Sequence, residues 1–342
     1  AEPAELLTFD SALEIAGRQS LALKAAEAEV TAARAALNEA RRKLYPFLYA
    51  EGSATEGELL AGVEFEEKRY GVSVEHTLFQ SGYLRAVYRQ AKKRYEAAQV
   101  KYRKAGADLR LDVARAYYDL VAAVMNRRLQ AQLKAGISED VIVTAQKLDK
   151  GLVTEEEWME VKTRENQTEF QVLSAMRDEE LARFKLLKAM NAESEGDTVR
   201  LIDSQVDTRL DVAEVKVELD EVLDEALANR LEKRIAELNV EAQRLGLTAA
   251  RARDALKIDL NGFVGRSASY YVTEDATWND DWQVLFKASM SFGPNTASTS
   301  YTHDDTSPKL GQTDRTRTDQ AAGKVGIYDN MEKYTRINRA KA

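Results

Sequence analysis

The chain has 342 residues, a formal net charge of -8 and a pI near 5.2, which sets it apart from nucleic-acid binders that present a basic face. It has no cysteine and only two histidines, His76 and His303, so disulfides and thiolate chemistry are excluded and a zinc enzyme is disfavoured. No run of about 18 consecutive apolar residues occurs, which rules out a spanning helix but not a β-barrel, whose strands alternate apolar and polar residues.

The opening AEPAELL carries no basic and apolar leader, which fits a cytosolic chain or a mature chain after removal of a signal peptide. Residues 10–44 then predict one helix. Leu23, Val30, Leu37 and Leu44 recur every seven residues, with Ala26, Ala33 and Ala40 between them, a heptad seam in which alanine permits close helix approach. Pro46 ends the helix, because the residue before proline avoids helical backbone. Strands follow over 47–56 and 69–79; in the second, Tyr70, Val72, Val74, His76 and Leu78 share one face.

From 82 to 148 the pattern is helical again, marked by Tyr88, Tyr95 and Tyr102 and by Ala91, Ala98 and Ala105. Such a run is about 100 Å long and needs a coiled-coil partner, the nearest being its own chain neighbour. No proline lies between Pro46 and Pro294, so nothing interrupts it. Residues 149–154 form a turn: Gly151 stops one helix, and Thr154 with Glu157 makes a capping box for the next, over 155–190. Segment 191–218 is mixed, with alternation in VRLIDSQV and VAEVKVEL that predicts short strands.

A repeat organises the chain. Residues near the start return 210 positions later: Leu13 on Leu223, Leu21 on Leu231, Glu27 on Glu237, Leu37 on Leu247 and Gly52 on Gly262. The first structural repeat is thus 1–218 and the second 219–342. The second comprises a helix over 219–255, strands over 257–272 and 283–293, a polar insert over 295–320 read as a loop, and a short C-terminal segment. Carried over by the repeat, its helical seam would run through Lys233, Ala236, Val240, Gln243, Leu247, Ala250 and Asp254, more solvated than the first. Val284, Phe286, Ala288 and Met290 alternate with polar residues. Two readings of the strands stand side by side: a small soluble sheet on a helical bundle, or a membrane barrel wall with Tyr270, Tyr271, Trp278 and Trp282 at its interface. Four strands cannot close a barrel, so the second reading requires several protomers.

The segments LTFDSALEIAGRQSLALKAAEAEVTAARAALNEARRKLYP, YGVSVEHTLFQSGYLRAVYRQAKKRYEAAQVKY, LDVARAYYDLVAA, LDKGLVTEEEWMEVK and LDEVLDEALANRLEKRIAELNVEAQ together resemble the outer membrane efflux family, the TolC-like channels of tripartite efflux and type I secretion systems. The resemblance covers most of 6–294. It implies a mainly α fold with β: long antiparallel coiled-coil helices forming a periplasmic α-barrel, and four strands per protomer in a shared twelve-stranded outer membrane β-barrel. It implies a homotrimer in the Gram-negative outer membrane, exported by a removed signal peptide. The partners are a periplasmic adaptor (membrane fusion) protein, an inner membrane pump reached through it, and outer membrane lipid, without nucleic acid, cofactor, resident metal or catalysis.

By the same resemblance, Gly151, Leu152, Val153 and Thr154 form an adaptor-docking tip, although the residues alone describe only a capped helix turn. Glu155, Glu156 and Glu157 place negative charge at a tube mouth, or merely complement the helix N-terminus. Pro46, Phe79, Gly82 and Pro294 mark swivels between barrel and helices. His303, Asp304 and Asp305 read as solvated loop residues in preference to a metal site. The second repeat departs from the pattern: it lacks the second proline, carries the 295–320 insert and is expected to lack most of the final helical hairpin. The competing reading is a soluble or periplasmic coiled-coil scaffold without channel activity.

Overall fold

A computed structural model describes residues 6–59, 62–191, 205–207, 218–310 and 312–341. The repeat is visible in its element boundaries. Helix α1 (Phe9–Gln19) and helix α5 (Leu219–Asn229) each have 11 residues, and α2 (Leu21–Arg42) and α6 (Leu231–Ala252) each have 22. Strands β2 (Phe47–Glu58) and β5 (Lys257–Tyr271) start at equivalent points of the two copies.

The single helix expected over 10–44 is two helices, and so is that expected over 219–255. The break falls at Ser20 (ψ 114°) and at its counterpart Arg230 (ψ 115°). At the first, Ser20 is buried and its hydroxyl accepts from the Leu23 amide at 3.2 Å, so it caps α2 while its own amide still donates to the Ala16 carbonyl. Heptad spacing survives such a break, so it is invisible to periodicity.

In α2 the residues that are not exposed are Leu23, Ala26, Val30, Ala33, Leu37 and Ala40, the predicted seam. In α6 the seam is displaced. Leu231, Ile235, Leu238, Ala242, Leu245, Ala249 and Ala252 face inward, while Lys233, Ala236, Val240 and Gln243 are exposed. The second copy keeps helix length but not helix phase, since its large apolar residues follow their own heptad from Leu231.

The chain divides into two compact units, 1–30 with 99–232 and 31–98 with 233–342. Helix α3 (Tyr83–Asp149) contributes to both. In the first unit, α3 lies antiparallel to α4 (Glu155–Met190). Cross-helix pairs hold them: Lys134 to Glu169 at 2.9 Å, the Ser138 hydroxyl donating to Glu165 at 3.0 Å, and Arg127 to Glu179. The core of this unit joins Ala12 and Ala16 of α1, Val113, Tyr117, Leu120, Val121 and Val124 of α3, and Leu186, Leu187 and Met190 of α4. A two-residue parallel pair, β1 (Leu6–Leu7) with β4 (Gln205–Val206), closes it. The Tyr117 hydroxyl sits at 3.2 Å from the Leu7 carbonyl and 3.3 Å from the Asp207 carbonyl, and burial pushes its pKa up. The strand expected in VRLIDSQV is thus present at Gln205–Val206; the remainder of that segment, and 212–217 of VAEVKVEL, lie outside the described residues.

In the second unit, one open antiparallel sheet has the order β2-β3-β5-β6-β7-β8. Its further strands are β3 (Glu64–Gln80), β6 (Asn279–Phe292), β7 (Asn295–Thr306) and β8 (Thr316–Gly326). Four strands were expected and six are present. The 295–320 segment, expected to be a loop, supplies β7 and the first residues of β8, from Thr316 to Gln320. Its Thr, Ser and Asp content suggests a loop only if strands are assumed to need an apolar partner surface. Thr and Tyr favour strands, and a sheet with one wetted face accepts Ser, Thr and Asp on alternate positions. A short helix α7 (Glu332–Lys341) follows β8.

Candidate functional site

The register sorts the sheet into two faces. One carries Ser53, Glu67, Arg69, Ser267, Asn261, Asp281, Gln283, Asp304, Thr302 and Gln320. The other carries Leu48, Ala50, Val72, Val74, Leu260, Val264, Val284, Phe286, Met290, Tyr301, Ala321 and Val325. Apolar residues of the second face are bare: Val264 is 68% exposed, Leu48 67% and Val325 65%. A contiguous apolar surface of this kind marks contact with lipid or protein. Among the described residues, no helix is long and apolar enough to cross a membrane.

The aromatic residues proposed for an interface lie towards the hairpin-loop end. Tyr70 meets Trp278 in a tilted pair with 5.0 Å between ring centroids, the Lys68 ammonium donates to the Tyr270 hydroxyl at 3.0 Å, and Trp282 lies 4.8 Å from the His303 ring. On the polar face, Phe263 is buried where a Cβ on either paired Gly71 or Gly265 would come within 2.6 Å of its ring. The Arg69 guanidinium lies over that ring, 3.6 Å from its centroid.

The β7–β8 connection folds over the same polar face. The Ser307 amide donates to Asp281 at 2.6 Å, and Asp281 is buried. A cavity of about 380 Å³ there is lined by Ser53, Glu67, Asp281, Gln283, Ser307 and Lys309. Asp305 points to the apolar face and pairs with Arg315 and Arg317 at 2.8 and 3.0 Å. His303 binds Asp319 at 2.6 Å on that same face, while Asp304 points to the opposite one. The three residues weighed as a metal cluster therefore do not converge, and no such cluster occurs among the described residues.

The sheet joins its helices at defined points. Pro46 separates α2 from β2, and the Arg42 guanidinium donates to its carbonyl at 2.6 Å. A bulge between Thr77 and Phe79 precedes Ser81 and Gly82, both at positive φ (42° and 82°), before α3 begins. Pro294 does not lie at a strand-to-helix junction. It sits in the two-residue β6–β7 connection, with Phe292 paired to Asn295. The second junction comes later, at Tyr328 (φ 56°) between β8 and α7. Pro294 still touches it, because its carbonyl accepts from the Asn330 amide at 2.9 Å. Arg336 of α7 then pairs with Asp254 at 2.6 Å.

At the helical turn, the Gly151 amide donates to the Leu148 carbonyl at 2.8 Å and the Leu152 amide to that of Lys147 at 2.9 Å. The left-handed φ of 71° at Gly151 explains the glycine. The Glu157 amide donates to the Thr154 hydroxyl at 3.2 Å, and the Thr154 amide to the Glu157 carboxylate at 3.0 Å. The turn thus presents Leu152, 71% exposed, with Val153 half-buried and Glu155, Glu156 and Glu157 exposed. Sequence reasoning found this turn and the first strand-to-helix junction, but missed the β7–β8 hairpin and the Tyr328 junction. The alternation Ala297, Thr299, Tyr301 against Ser298, Ser300, Thr302 was the available signal for the hairpin.

Known structures share the fold. A membrane protein from Pseudomonas aeruginosa superposes with a TM-score of 0.69 at 17% identity, over 97% of this chain and 70% of that one. The Campylobacter jejuni CmeC outer membrane channel gives 0.69 at 16%, over 97% and 64%. The outer membrane protein VceC from Vibrio cholerae gives 0.69 at 14%, over 97% and 72%. At these identities the likeness is one of fold. No curated protein matches the sequence. A profile of the family described as outer membrane efflux protein matches residues 12–192, more than half of the chain. The chain belongs to the outer membrane efflux protein family, whose members are non-enzymatic channels of the outer membrane with a helical periplasmic extension.

Proposed function

We propose that this chain forms, as a homotrimer, the outer membrane exit duct of a tripartite efflux or type I secretion system. The observation that carries this reading is the sheet: six strands with two open edges, one polar face and one bare apolar face. An open sheet exposing Val264, Leu48 and Val325 on one side is costly in water, and closure by further copies removes its edges. The polar face then lines the passage. The chemistry required is bore, field and gate, with no reacting group.

In this reading, Gly151, Leu152, Val153 and Thr154 form the tip that meets a periplasmic adaptor protein, which links the duct to an inner membrane pump. Leu152 supports this, being a large exposed apolar side chain on a turn whose Gly151 and Leu152 amides are hydrogen-bonded. Glu155, Glu156 and Glu157 give the mouth a negative potential that favours cations. Pro46, Phe79 and Gly82 serve as swivels between the barrel and the helices, with the second-repeat swivel at Tyr328.

Outer membrane fractionation followed by detergent extraction tests the assembly: a stable trimer is expected. A monodisperse soluble monomer would instead identify a coiled-coil scaffold. Leu152→Asp or Val153→Asp is expected to abolish cross-linking to the adaptor while trimers persist; unchanged cross-linking would refute the tip assignment.

A further inference from the structure

We infer that each copy of this chain contributes six strands to the shared barrel, so that three copies build an eighteen-stranded wall in which β8 of one protomer pairs with β2 of the next. This rests on the shared-barrel reading above but departs from its expected strand count of twelve.

The first support is direction. Every neighbouring pair in the sheet is antiparallel, from β2–β3 through β7–β8. An even number of strands per protomer leaves β8 antiparallel to the next β2, so the ladder continues unchanged across the junction. The edges match in length, 12 residues in β2 and 11 in β8, and both are almost wholly exposed.

The second support is chain path. β8, not β6, runs into the following helix, through a positive-φ residue at Tyr328 as β3 does through Ser81 and Gly82. β6 turns back within two residues and has no helix of its own. The strand that ends the repeat is therefore β8, and a wall ending at β6 would leave the paired β7–β8 ribbon attached to its outside.

The third support is the membrane boundary. On the apolar face, moving along each strand towards the hairpin loops, the first charged residue is Glu56 on β2, Lys68 on β3, Arg266 on β5, Asp280 on β6, Asp305 on β7 and Asp319 on β8. In the paired register this boundary descends by two residues at each step from β2 to β8 except β5–β6, where Arg266 pairs with Asp280 and it stays level. The descent is about eight residues, roughly 26 Å, across five strand spacings of about 4.8 Å each, an inclination of roughly 45°. Strands of outer membrane barrels tilt by about that angle, so a level lipid boundary drawn on them is slanted in this way. The slope does not stop at β6. Tyr301, Ala297, Ala321 and Val325 carry the apolar band on through β7 and β8, which an extramembrane hairpin would have no reason to do.

Extending the slope by one strand sets Ala54 of the next β2 opposite Ala321 or Gly323 of β8. If the wall ended at β6, Ala54 would instead lie opposite Trp282 or Val284. The chain has no cysteine, so paired substitutions give a clean readout. In outer membranes carrying the full chain, Ala54→Cys combined with Ala321→Cys or Gly323→Cys is expected to oxidise to reducible dimers and trimers on denaturing gels. Ala54→Cys with Trp282→Cys or Val284→Cys is expected to stay monomeric. Each single-cysteine variant must remain in the membrane fraction as the folding control, with a neighbouring small residue, Ala50→Cys or Val325→Cys, used where one does not. Linkage of the β6 pairs without the β8 pairs, or no linkage in a chain that extracts as a trimer, would overturn the eighteen-stranded wall and leave the duct reading standing. No linkage in a chain that extracts as a monomer would overturn both.

Discussion

The two compact units place their apolar residues in opposite ways. In the helical unit, Leu120, Leu186 and Met190 are fully buried around α1, α3 and α4. In the sheet unit, Val264, Leu48 and Phe286 stand exposed on the apolar face, while Phe263 on the polar face is buried and rests on glycines. The same residue types thus answer to two solvents. The helical unit is organised against water, and in the proposed duct its sheet counterpart is organised against a hydrocarbon layer.

Substitutions should separate the two regimes. Leu120→Ala opens a cavity in the helical core and should cost about 3–4 kcal/mol, measured by denaturant unfolding. An equally large loss at Val264→Ala would show that the sheet face is a water-facing core after all. Phe286→Arg, in the middle of the apolar band, should cost about 2–4 kcal/mol for folding into lipid bilayers. Gln283→Arg, three residues away and on the polar face, should change it by less than about 0.5 kcal/mol. Equal effects at these two positions would erase the distinction between the faces.

Gly265→Ala should cost about 1–3 kcal/mol, because the added methyl meets the Tyr70 carbonyl and the Phe263 ring. Thr154→Ala should lower thermal stability of the helical unit by about 1 kcal/mol through loss of its cap. The smallest effect is one of pH. Glu165 is held below the ordinary carboxylate range by Lys162 and then by Ser138. A depressed folded-state pKa stabilises above the unfolded value and is lost as pH falls through the folded one. Below about pH 4.5, acidification should therefore weaken the α3–α4 pairing, and Glu165→Gln should flatten that part of the melting-temperature profile.

Much of this was legible from the residues. The long α3, the capped turn at Thr154, α4 and the first-copy seam follow from periodicity and end signals that act locally. The break at Ser20 was hidden because a single non-helical ψ leaves the heptads in phase. The α6 seam was misplaced because the repeat preserves length and position along the chain, while packing follows the actual large residues Leu231, Leu238 and Leu245. β7 and β8 were missed because Thr, Ser and Asp suggest a loop by composition but are ordinary residues on the wetted face of a sheet. Of the candidate site, the turn and the first junction were readable. The second junction was not, since Pro294 suggested a boundary that the chain passes by one hairpin.

The contact of Phe263 with Gly71 and Gly265 bears on assembly fidelity. A slip of one residue between β3 and β5 would turn every side chain to the wrong face and is opposed by the whole sheet. A slip of two preserves the faces and passes that test. It would carry Phe263 off the gap left by the paired glycines and against the side chain of Ser73 or Arg69 instead. This ladder joins the two repeats, strands that meet only after the intervening helices have folded back. There, a ring seated over two missing side chains supplies the check that alternation alone cannot.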